Sequence, residues 1–205
     1  GRLVLATDLR LAPSALDERT SAETLARWGD EGLDGLLLDA TNALVTDEPV
    51  SEATVESTLA EEVRRVGGTV VAVSFASHLG RFRQLALAAH AAGRVIVPVG
   101  RGLVESLDVQ GRLGGLRLPP GLVRPARELA RLPRNQVVVA ATGAQGEPGS
   151  AFSRLAVDLL PGLRLRREDV VLHAARVIPG NERRLAQLFD HCVRCGARVV
   201  TAAEA

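Results

Sequence analysis

The chain of 205 residues has no lysine, no methionine and no tyrosine, and only two cysteines. Two cysteines cannot build a disulfide framework, so a secreted, disulfide-stapled scaffold is excluded and a reducing, cytoplasmic setting is expected. No apolar run approaches the length of a membrane-spanning helix, and no signal peptide opens the sequence. Methionine is missing even at position 1, so a processed chain, or a piece excised from a longer one, is expected. The lack of lysine leaves arginine as the sole strong base. GC-rich coding or a thermophilic host would account for that without any function. Arginine is nevertheless the better phosphate ligand, since its planar fork binds bidentately and stacks on bases.

Hydrophobic residues make up 46% of the chain, enough for a substantial core in one domain, or in one domain and part of another. Charge is divided unevenly. Residues 1–62 hold 4 arginines against 14 carboxylates, a net −10, and residues 63–205 hold 21 against 10, a net +11. An acidic part that suits cations and a basic part that suits a polyanion fit this asymmetry; so does ordinary pairing between the two halves.

Short β-branched or leucine runs alternate with amphipathic stretches. Leu3–Leu5, Leu36–Leu38, Val70–Val73, Val95–Val97, Val137–Val139, Val170–Leu172 and Val199–Val200 read as strands. Helices are expected from Ser21 to Trp28, from Ser51 to about Val66, over Leu79–Ala92, within 102–113, and near 151–159 and 182–195. Ser21 and Ser51 serve as N-caps, and Gly93 stops its helix at C′. Continuous apolar strands alternating with helices specify an α/β fold, a parallel Rossmann-like sheet with helices on both faces.

The strands empty repeatedly into small, polar segments: Asp39–Asn42, Ser74–His78, Gly100-Arg101, Thr142–Glu147 and, a little later, Ile178–Asn181. In open parallel sheets ligands lie beyond the carboxyl ends of the strands. Gly143, Gly146 and Gly149 are spaced G-x-x-G-x-x-G, which is neither the dinucleotide fingerprint nor a Walker A loop. A P-loop ATPase is therefore not expected; a Rossmann-like nucleotide-binding enzyme stands as an alternative, because successive backbone amides before a helix can hold a phosphate, and so does a plain turn ended by Pro148. Ser77 and His78 are adjacent without a nucleophile elbow. Cys192 and Cys195 share a helix face, but no second cysteine pair completes a structural zinc site. His90 fits a surface or groove position and His173 a core one. Asp8 and Asp39 each close an apolar strand, where a bare carboxylate is costly; helix capping and metal or substrate work are both open to them.

Four segments, LDATNA (38–43), SFASHLGRFRQ (74–84), ATGAQGEP (141–148) and IPGNE (178–182), in this order and separation, resemble the β-CASP ribonucleases of the metallo-β-lactamase superfamily, specifically ribonuclease J. The likeness covers essentially the whole chain. It implies a terminal slice of a metallo-β-lactamase domain over 1–45 and a β-CASP domain over 46–205. It also implies a cleft between the two that admits single-stranded RNA bearing a 5′-monophosphate. Asp8 matches the family's bridging metal carboxylate, and Asp39 the motif A acid that orders a site for two zinc ions. Ser77, His78, Arg81, Arg101, Thr142, Gly143, Gln145, Gly146, Glu147, Pro179, Gly180 and Asn181 fall on the loops that would line the RNA-facing wall. Family members hydrolyse RNA from the 5′ end and also internally.

The sequence departs from that pattern at Leu38, Ala40, Ala174, Ala175 and Arg176, where the family carries serines, at Thr7, where it carries a glycine, and at His78 and Gly80, where it carries an Asn and a His. It contains no H-x-H-x-D-H motif and lacks the family's later histidines. The isolated chain is expected to be inactive; the partners expected are RNA, the rest of the metallo-β-lactamase domain and possible further copies in a homo-oligomer. A non-catalytic paralogue that binds RNA or a protein partner is the alternative.

Overall fold

The computed structural model describes residues 1–7, 21–40 and 50–201. Within it the chain forms two compact units, Gly1–Val55 and Glu56–Ala205, dividing in the first turn of a helix. The boundary expected at 45/46 falls among residues 41–49, outside the described ones.

The first unit pairs β1 (Leu3–Ala6) in parallel with β2 (Gly35–Leu38) around α1 (Ala22–Asp30). The Ser21 hydroxyl accepts from the Thr24 amide at 3.1 Å, the cap expected from the sequence. Gly35 sits opposite Leu3, and a Cβ there would come within 2.8 Å of the Leu3 side chain. Leu3, Leu5, Leu36, Leu37 and Leu38 are all at least half exposed. Successive strand residues point to opposite faces, so both faces of this pair present leucine.

The second unit takes up α2 (Glu52–Arg65), capped by the Ser51 hydroxyl on the Thr54 amide at 3.1 Å. It continues through β3 (Val70–Val73), α3 (Leu79–Ala91), β4 (Val95–Val99), α4 (Arg101–Leu113), β5 (Val137–Ala141), α5 (Ala151–Ala156), β6 (Val170–His173), α6 (Glu182–Arg194) and β7 (Arg198–Thr201). All five strands are parallel, in the order β4-β5-β3-β6-β7. From β3 the chain moves outward to β4 and then to Val123, which pairs with Ile96 on the free side of β4. It returns to insert β5 between β4 and β3, then crosses to β6 and β7. Right-handed crossovers put α3 and α4 on one face and α5 and α6 on the other.

Strand alternation matches. Val71, Val73, Val97, Val99, Val139 and Val171 join one buried cluster with Phe152, Leu155, Leu185 and Leu188. The remaining strand positions, with Val70, Val138 and Ile96 wholly buried, point to the layer that supplies Phe82, Leu85 and Val63. Pro98 sits on β4, at the sheet margin where a missing amide is tolerated. Arg94 closes the C-terminus of α2: its guanidinium donates to the Gly68 carbonyl at 2.8 Å and to that of Val66.

Candidate functional site

The sheet's carboxyl edge is knitted together beyond the strands themselves. The Thr142 amide donates to the Val99 carbonyl at 3.1 Å, Ser74 to Ala141 at 3.1 Å, and Ala174 to Val73 at 2.9 Å. Four exits therefore leave the sheet side by side. The exits after β3 and β4 turn toward one helical layer and those after β5 and β6 toward the other, which opens a crevice at the topological switch. The N-termini of α3, α4 and α6 face the same edge, each worth about half a positive charge.

The 142–150 loop is held in shape by itself. Gly143 has φ 110°, and a Cβ there would lie 2.2 Å from the Ser150 hydroxyl; only glycine fits. The Gly146 amide donates to the Gly143 carbonyl at 2.9 Å, the Gln145 amide to the Glu147 carboxylate at 3.0 Å, and the Ser150 amide to the Glu147 carbonyl at 3.1 Å. Three amides that a phosphate cradle would use are thus spent inside the loop, so the glycine spacing gives no support to a nucleotide site.

Gln145 is buried and joins two exits. Its Nε2 donates to the Arg176 carbonyl at 2.8 Å, while its Oε1 accepts from the Ile178 amide at 2.8 Å and from Asn181 Nδ2 at 3.1 Å. His173 braces the loop from below. Its Nε2 lies 2.8 Å from the Ala144 carbonyl and its ring packs edge-on to Phe189. A carbonyl only accepts, so the neutral ring carries its proton on Nε2.

Burial pulls the His173 pKa below the ordinary value, against the opposing pull of the Ala144 carbonyl. The unfolded chain therefore takes up this proton first. The stability this group contributes is complete above about pH 6.5 and is lost as pH falls toward the lowered folded-state value. Chemical unfolding at a series of pH values should show that decline just below pH 6.5, and His173→Gln should flatten it.

The other expected site residues divide into supports and exposed groups. His78 caps α3, its Nδ1 accepting from the Arg81 amide at 3.0 Å. Arg81 is itself buried and donates to Gln84 Oε1 at 2.9 Å. Ser77, Glu147, Pro179 and Gly180 are exposed, and the Gly180 amide donates to the Glu182 carboxylate at 2.8 Å. Arg101 projects outward, its side chain 92% exposed and 4.0 Å from Glu105. Gly100 (φ 126°) lets the β4 exit close on Thr142, whose hydroxyl would stand 2.1 Å from a Cβ there.

Sequence reasoning missed Arg184. Its stem lies over Gly146, 3.0 Å from where a Cβ would be, and it is exposed; the arginine pair opening α6 was the available signal. The exits after β3, β4, β5 and β6 are thus brought to one edge. Asp39 belongs to the other unit, exposed at the end of β2, with its amide donating to the Ala6 carbonyl at 3.1 Å. Asp8 lies outside the described residues.

Among the described residues no three His, Cys, Asp or Glu side chains group so as to hold a metal ion. Cys192 is buried, with its thiol pushed up to about 12 by burial, and Cys195 is exposed at the helix end. The thiolate that zinc requires is disfavoured there. The described residues therefore do not fit a zinc centre by themselves. No helix among them is long and apolar enough to cross a membrane.

The family model for the ribonuclease J β-CASP domain matches residues 67–192, the span that carries the knitted edge. The chain belongs to this family. Its relatives include the protein named Ribonuclease J of Mycobacterium tuberculosis (strain ATCC 25618 / H37Rv), 37% identical over 186 residues, covering 91% of this chain and 33% of that one. Ribonuclease J of Mycolicibacterium smegmatis is 34% identical over 206 residues, covering 100% and 37%. Ribonuclease J of Sinorhizobium meliloti is 33% identical over 196 residues, covering 95% and 34%. The chain spans about a third of the length of these relatives. In this β-CASP domain the family-matched segments 74–84, 141–148 and 178–182 all lie at the carboxyl edge of one sheet.

Proposed function

We propose that the carboxyl edge of the β-CASP sheet is the RNA-facing wall of a ribonuclease J-like enzyme. The observation that carries this reading is the convergence of four strand exits, knitted by backbone hydrogen bonds and by Gln145, with three helix N-termini and the exposed Arg101 and Arg184 on the same edge. Helix N-termini and arginine forks bind phosphate without reading bases, as an enzyme that moves along RNA requires. In this reading Gln145 and Glu147 fix the wall's shape rather than touch the strand. The polar groups offered to RNA are Ser77, Arg101 and Arg184, with the exposed turn at Pro179-Gly180 on the same edge.

The hydrolytic half of the reading rests on the family. Zinc, as the family resemblance implies, would supply an activated water for phosphodiester hydrolysis at the 5′ end or internally, at a centre that the described residues do not complete. Asp8 would be one ligand and Asp39 an ordering acid, with further ligands from polypeptide outside this chain. The leucines on both faces of the β1–β2 pair support such additional cover. The isolated chain, in a cytoplasmic setting, would bind RNA without cutting it.

Titrating the 205-residue chain with 5′-monophosphorylated single-stranded RNA tests this. Log affinity should fall linearly with log salt, by about 0.7 per phosphate contacted, and Arg101→Glu with Arg184→Glu should weaken binding. A longer protein containing this chain should cleave the same RNA when supplied with zinc. Intact affinity with a silent longer protein would favour the non-catalytic paralogue. Salt-independent binding of a mononucleotide, with none of RNA, would contradict the proposal.

A further inference from the structure

The opposite, amino edge of the β-CASP sheet carries a groove of about 600 Å³, lined by the 129–134 segment that leads into β5 and the 158–166 segment that leads into β6. Its floor is aliphatic: Leu129, Leu160 and Leu163 are nearly buried, while Leu159 stands 66% exposed on the rim. The rim is basic. Arg164 is 76% exposed and lies 3.9 Å from Asp158, the sole acid lining the groove among the described residues, and Arg166 is exposed. Arg134 is already committed to the buried Asp169 and to the Arg164 carbonyl, so it shapes the wall without adding uncompensated charge.

The groove is pre-formed. The Leu159 amide donates to the Arg154 carbonyl at 2.7 Å, and Gly162, at φ 82°, comes so close to the 3-10 turn Ala126–Arg131 that a Cβ would stand 3.1 Å from the Ala130 amide. We propose that this groove docks a short acidic peptide segment of another protein, anchored by an aliphatic side chain. Leucine-class side chains would bury against the floor, and carboxylates would pair with Arg164 and Arg166. Single-stranded RNA suits it poorly, because among the described residues no aromatic lines the groove for bases to stack on. The site is also distinct from the RNA wall, since parallel strands put all their amino ends on the other edge.

The test uses the whole chain and a labelled peptide of aspartate and glutamate carrying a pair of leucines, followed by fluorescence anisotropy. Saturable binding is expected, weakened by salt and weakened at least ~10-fold when serines replace the leucines. Leu159→Asp with Arg164→Glu and Arg166→Glu should abolish it at unchanged thermal midpoint, while Arg164→Lys with Arg166→Lys should retain most of it. If the triple variant fails to fold, amide exchange of the native chain decides instead: peptide-dependent protection at 129–132 and 158–166 supports the docking site, and protection elsewhere overturns it. Equal binding by a folded triple variant overturns it as well. So does displacement of the peptide by oligouridylate, or self-association of the chain through these residues in sedimentation.

Discussion

Asp169→Ala is expected to lower the unfolding free energy by about 3–5 kcal/mol. The carboxylate is fully buried at the entry to β6. It accepts from the Thr69 amide at 2.8 Å and the Arg166 amide at 2.7 Å and is paired with Arg134. It therefore ties the starts of β3 and β6 to the segment before β5. Alanine strands two amides and leaves Arg134 without its counter-charge, a cost that no methyl packing offsets. Asp169→Asn keeps one acceptor oxygen and should lose distinctly less. Urea unfolding followed by circular dichroism measures both; equal midpoints for the native chain and the alanine variant would show that the junction contributes nothing.

Gln145→Ala is expected to cost about 2–4 kcal/mol, since the Arg176 carbonyl, the Ile178 amide and the Asn181 side chain lose their partner at once. The more telling effect is local. Without the staple the exit after β6 is no longer tied to the 142–150 loop, so the Ile178 amide should exchange with solvent faster while β3 and β5 stay protected. RNA affinity should fall although the chain remains folded. Gln145→Glu separates the two links: it keeps an acceptor for the Ile178 amide but sets a carboxylate oxygen against the Arg176 carbonyl. A slow Ile178 amide in the alanine variant would remove Gln145 from the wall's support.

The elements of this fold were legible in the sequence because their signals are local. Valine runs, the serine caps at 21 and 51 and the stop at Gly93 act within a few residues. The helix expected near 151–159 ends earlier, at Ala156, because the backbone turns left-handed at Asp158 (φ 61°) to build the groove loop. The order of the strands was not legible. Nothing near Val137 announces that β5 slips between β4 and β3, an outcome decided by packing.

The internal staples were hidden for a related reason. Asp169 meets Thr69 from 100 residues away and Arg94 meets Gly68 from 26, and no spacing rule reaches that far. In the candidate site the converging loops could be read from small polar residues at strand ends, and three of the four segments that carry the family resemblance lie at that edge. The division of labour within them could not. Gln145, His78 and Arg81 look like ligand contacts in the sequence and are spent on supporting the loops, whereas Arg184, inside a helix, stands exposed over Gly146.

Hydrogen–deuterium exchange of the chain with and without single-stranded RNA should locate the RNA on the carboxyl edge. RNA-dependent protection is expected at 75–81, 100–104, 142–150 and 176–184, with the amino edge at 129–134 and 158–166 unchanged. Protection confined to the amino edge, or saturating RNA binding that leaves all four exits exchanging as before, would contradict that placement.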